Sequence, residues 1–134
     1  MSNILDLSIE EMHIALKEGK IKPSDLVKAS IEKAKENQDT YNAFVTILED
    51  ALELAYELDN NFEEDNPLYG IPYACKDNYS TKGILSTGSS NMLKNYVPVY
   101  DATVVEKLKN KKMVLIGKTT MDELAMGGTG TNGH

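Results

Sequence analysis

Residues 69–83 read YGIPYACKDNYSTKG, and the reading of the whole chain turns on how this stretch changes character. Gly70 offers a turn, Ile71 to Cys75 form a brief apolar run, and Lys76 is followed at once by Asp77 and Asn78. A short apolar run bounded by turn residues predicts a strand over 71–76. A lysine in this place is ordinarily solvated. The carboxyl end of a strand is also where open α/β sheets gather reactive groups. For Lys76 to act as a base its amine must be uncharged, which calls for dry surroundings beside Ala74 and Cys75. Asp77 could instead hold it protonated, although successive strand side chains point to opposite faces.

Working outward, MVLIG (113–117) has the continuous apolar character of a buried parallel strand. Between the two strands, DATVVEKLKNKK (101–112) predicts an amphipathic helix that either Asp101 or Thr103 can cap. Lys107, Lys109, Lys111 and Lys112 crowd its carboxyl end, where positive charge suits the helix dipole. Strand, helix and strand in this order predict an α/β crossover.

Toward the amino terminus, Ser8 and Glu11 fit a capping box for a helix over 9–18, with Gly19 as its stop. Pro23 suits the first turn of a second helix, whose apolar face is Leu26, Val27, Ile31 and Ala34 and which is predicted to end at ENQDT (36–40). NAFVTIL (42–48) is short and β-branched and predicts a strand. Ala51, Ala55, Leu58 and Phe62 share one face of a third helix, and NNFEEDNP (60–67) ends it as a loop rather than a domain linker. The expected organisation is one α/β domain, with a helical region over 1–66 and a core beginning at 67 and running to 134.

Apolar residues make up 41% and charged residues 26% of the 134, which fits neither a disordered chain nor a membrane protein. No apolar run reaches the roughly 18 residues that span a bilayer. The first residues, MSNILDLSIEEMH, lack a basic stretch followed by an apolar one, so a cytoplasmic location is expected. Cys75 is the single cysteine and reads as a buried thiol, and no Cys/His spacing fits a metal site. Net charge is −10 over 1–66 and +3 over 67–134, an imbalance unlike a nucleic-acid footprint across the chain. All 14 basic residues are lysine, so no guanidinium fork is present to grip a substrate carboxylate.

Two glycine patterns are decoys. GTGTNG (128–133) matches a dinucleotide fingerprint in spacing, but it neither follows a strand nor opens a helix. GKTT (117–120) resembles part of a phosphate loop, but Lys112 stands where the first glycine belongs. Gly127 to Thr131 form a low-bulk segment that can admit a substrate or serve as a simple tail. Met126 reads as core, His13 as a boundary histidine, and His134 is uninformative.

The succession YGIPYACKDNYSTKGILSTGSSNML, then YVPVYDATVVEKLKNKKMVLIGKTTMDELAMGG, resembles the amidase signature family. Within it the likeness is strongest to the A subunits of glutamyl-tRNA(Gln) amidotransferases. The resemblance implies helices packed on a mixed β-sheet that this chain would not complete. It implies that Lys76 is the catalytic base of a Lys/cis-Ser/Ser triad, and that Ala125, Met126, Gly127 and Gly128 lie near the substrate. The family's two serines follow the MG loop and so are expected beyond His134, and Ser89 and Ser90 are not their substitutes. The chain is therefore expected to be an amino-terminal portion, inactive alone. Its implied substrate is glutamine. The implied partners are a tRNA-binding B subunit, which would use ATP and magnesium, and a small C subunit. No cofactor, direct nucleic-acid contact or membrane contact is implied for this chain. The alternatives are a stand-alone amidase of the same family and a non-catalytic interaction module.

Overall fold

The computed structural model describes residues 3–127. Ser8 opens helix α1 (Ile9–Lys17) with the expected capping box: its hydroxyl accepts from Glu11 N–H, and the Glu11 carboxylate accepts from Ser8 N–H. After the turn at Gly19, helix α2 (Pro23–Tyr41) starts with proline in its first turn. The Asp59 carboxylate reaches this end of α2, accepting from Ser24 N–H at 2.9 Å and from the Ser24 hydroxyl at 2.6 Å. Negative charge there also favours the positive end of the helix dipole.

Helix α2 runs through ENQDT instead of stopping at it. None of those residues breaks a helix. Termination comes at Asn42, which adopts a left-handed conformation with φ 47°. Gln38 makes the extension worthwhile, because its amide donates to Phe44 O and accepts from Phe44 N–H, as a neighbouring strand would. This leads into strand β1 (Phe44–Ile47), followed by helix α3 (Ala51–Leu58). Phe62 lies beyond α3 but packs on the same core.

Strand β2 (Pro72–Lys76), helix α4 (Thr103–Asn110) and strand β3 (Val114–Thr119) form the expected crossover. The sheet order is β1-β3-β2, with β1 antiparallel and β2 parallel to the central β3. Neither proposed cap of α4 is made: Ala102 occupies the cap position. Asp101 instead accepts from Lys82 N–H and pairs with Lys109, pinning the crossover loop to the helix.

One core joins Val27, Ile31, Ala51, Ala55, Leu58 and Tyr69 to Val114 and Ile116 of β3. A second seals α1 on α2 through Met12, Leu16, Leu26 and Ile71. Burying each such aliphatic side chain contributes roughly 1.5–3 kcal/mol, which is what seats α2 and α3 on the sheet. Phe62 bridges the two clusters and meets the Tyr69 ring edge-on at 5.4 Å. His13 lies against Phe62 on the other side, as a boundary residue. Gly70 is required at the entry to β2: its φ is +72°, and a Cβ would lie 2.7 Å from Pro23 Cγ. No helix among the described residues is long and apolar enough to cross a membrane.

Candidate active site

Lys76 is the last residue of β2 and pairs in register with Thr119 of β3. Its side chain is exposed. The dry surroundings that a neutral amine needs are therefore not built by the described residues, because alternation turns Lys76 away from the packed face that receives Cys75 and Asp77. Cys75 is buried, and burial pushes its thiol pKa up; the nearby Lys118 charge opposes that shift and the Asp77 charge adds to it.

The buried lysine is Lys118, on β3 opposite Cys75. Its ammonium donates to Tyr79 O at 2.5 Å, Thr81 Oγ1 at 2.8 Å and Ser86 Oγ at 3.1 Å, using every donor it has. Burial pulls its pKa below the usual lysine range, while the neighbouring Cys75 and Asp77 act in the opposite direction. Asp77 Oδ1 lies 3.9 Å away, and Asp77 Oδ2 accepts from both the N–H and the hydroxyl of Thr87. The Asp77 backbone adds two bonds, its N–H to Thr119 O and its C=O from Gly88 N–H. A buried charge is tolerated only when paired and hydrogen-bonded; Lys118 meets that condition, whereas Asp77 Oδ1 is buried with no hydrogen-bond partner among the described residues and has the ammonium 3.9 Å away.

Ser89 and Ser90 extend the network. Ser89 is fully buried at φ +52° and its hydroxyl accepts from Met121 N–H at 3.0 Å. The Ser90 hydroxyl donates to Glu123, and Leu124 N–H donates to Gly88 O. These bonds tie the loop after β2 to the loop after β3. Between the two loops lies a cleft of about 250 Å3 with a mixed lining, polar at Asp77, Asn78, Ser80 and Ser86 and apolar at Leu124 and Ala125 among others.

Of the predicted substrate-side residues, Ala125 lines this cleft. Leu124 and Ala125 both have positive φ, 49° and 63°, a strained geometry of the kind found at functional loops. Met126 is 81% exposed and is not core, because the chain has left the sheet by that point. Gly127 packs so tightly on Asp122 that a Cβ would collide with its carboxylate. Gly128 lies outside the described residues, as do the rest of GTGTNG, with Thr129, Gly130 and Thr131, and His134.

A family model described as Amidase matches residues 25–134. The chain belongs to the amidase family. Among curated amidases, the A subunit of glutamyl-tRNA(Gln) amidotransferase from Streptococcus pneumoniae is 47% identical over 129 residues, 95% of this chain and 26% of that protein. Its counterpart from Streptococcus mutans is 46% identical over equal coverage. The chain thus spans about a quarter of the length of these relatives. Of solved amidases, a peptide amidase from Stenotrophomonas maltophilia superposes with a TM-score of 0.81 at 25% identity, over 88% of this chain and 25% of that one. The A subunit of the Thermotoga maritima amidotransferase gives 0.76 at 34% identity, over 99% of this chain and 27% of that one.

Sequence reasoning placed the amidase motif but missed Lys118 and its acceptors. The signal was present as a lysine inside the otherwise apolar run VLIGKT, where only a partnered cation fits.

Proposed function

We propose that this chain forms the amino-terminal part of a glutamine-hydrolysing subunit of a glutamyl-tRNA(Gln) amidotransferase, with Lys76 as its general base. The observation that carries the reading is the Gly-Ile-Pro-Tyr-Ala-Cys-Lys-Asp-Asn segment seated at the end of a parallel strand, in a chain 47% identical to such subunits. Lys76 is presented on the open side of the sheet end. The remainder of an amidase fold would cover that side and supply both the desolvation and the hydroxyls.

In this reading the Lys76 amine takes a proton, through a cis-serine, from the attacking serine. That serine's oxygen bonds to the glutamine carboxamide carbon. Collapse of the tetrahedral intermediate breaks the C–N bond, and the leaving nitrogen departs as ammonia with a returned proton. Water then cleaves the acyl ester, and backbone N–H groups stabilise the oxyanion in both steps. The ammonia passes to a tRNA-binding B subunit that uses ATP and magnesium, with a small C subunit completing the complex. Location in the cytoplasm accords with this role.

The test is a graft in which residues 25–134 replace the matching segment of the Streptococcus pneumoniae protein, assembled with its own partners. The graft is expected to release ammonia from glutamine, and Lys76→Ala to abolish that release while the protein stays folded. The 134-residue chain alone is expected to release none. Retained turnover in the Lys76→Ala graft would remove Lys76 from the mechanism. Release from a peptide amide but not from glutamine would favour a stand-alone amidase.

A further inference from the structure

We propose that Lys118 is a positioning residue for amide hydrolysis, its buried ammonium clamping the Tyr79–Ser86 loop so that the strand end carrying Lys76 and the adjoining cleft hold one geometry. The inference rests on the amidase reading above and concerns a residue that reading does not use.

Three features carry it. The side chain is completely buried, and its three bonds all go to one loop, two to hydroxyls and one to a carbonyl. That loop begins directly after Lys76 and Asp77, and Ser86 both accepts from Lys118 and lines the cleft. Asp77 closes the circuit by holding Thr87, whose hydroxyl accepts from Ser89 N–H, while the Ser89 hydroxyl holds Met121. A single cation on β3 thus fixes one of the two loops that frame the cleft, and the Ser89–Met121 bond ties that loop to the other. An apolar side chain here would fill the space yet leave Tyr79 O, Thr81 and Ser86 without their donor. The loop would then settle in other arrangements.

The experiment has two readouts. In the 134-residue chain, hydrogen exchange at Ser86, Thr87 and Gly88 is expected to accelerate in Lys118→Met by a larger factor than exchange at the amides of α2. In the graft, the milder Thr81→Val and Ser86→Ala variants each remove one acceptor and are expected to fold. They should raise KM for glutamine and lower kcat/KM, by up to about 100-fold when reacting groups shift by an ångström. Lys118→Arg, which keeps the charge and donors, should retain part of the kcat/KM that Lys118→Met loses. A purely structural role would scale kcat with the folded fraction and leave KM unchanged, and that result overturns the proposal. So does unaltered exchange in Lys118→Met, whatever the activity. If the parent graft releases no ammonia, the amidase reading falls, and the positioning role falls with it; unaltered exchange overturns the positioning role alone.

Discussion

The Lys118 ammonium lies 3.9 Å from the Asp77 carboxylate with both side chains fully buried. Removing one member of such a pair strands the other charge away from water, at a cost of about 3–5 kcal/mol. Asp77→Ala and Lys118→Met are each expected to lower the urea-unfolding free energy of the chain by that order. The double variant should lose less than the sum of the two. Additivity within about 0.5 kcal/mol would show that the charges do not sense one another.

Gly117 of β3 pairs with Ile47 of the antiparallel β1, and a Cβ there would lie 2.5 Å from Thr46 O and 2.7 Å from the Phe44 ring. Backbone cannot yield as a flexible side chain does. Gly117→Ala is therefore expected to cost about 1–3 kcal/mol and to loosen β1 first. Unchanged protection of the Phe44–Ile47 amides in the variant would contradict this.

Burial tends to raise the Asp101 pKa, but the Lys109 side chain, the Lys82 N–H and the charges of both lysines outweigh it, leaving the pKa below the usual carboxylate value. A folded pKa below the unfolded one adds stability above the unfolded pKa, near 3.9, and that stability is lost as pH falls through the folded value. The stability gap between the parent chain and Asp101→Asn should hold steady from neutral pH to about 4 and close below it. A gap that stays open well below about pH 4 would rule out an ionised Asp101 as its source.

Cys75 is 6% exposed, and its thiol is pushed upward chiefly by burial. The thiolate is the reactive form, so alkylation by iodoacetamide at pH 8 should be much slower in the native chain than in urea. Equal rates would mean that β2 opens freely.

Local rules carried much of the fold. The capping box at Ser8, the Pro23 start, the three strands and the crossover helix follow from periodicity and turn chemistry, which neighbouring residues settle among themselves. The end of α2 did not follow, because Gln38 binds the Phe44 backbone across a turn that periodicity does not see. Nor did the true neighbours of Asp101, or the exposure of Met126.

From the string of residues alone came the kinship of the Gly-Ile-Pro segment and the place of Lys76 at a strand end, since these depend on order along the chain. Which lysine is dry could come only from tertiary structure. Desolvation is set by what packs around a side chain from distant elements, and it is the 79–86 loop, 32 to 39 residues away in sequence, that encloses Lys118 while Lys76 faces outward.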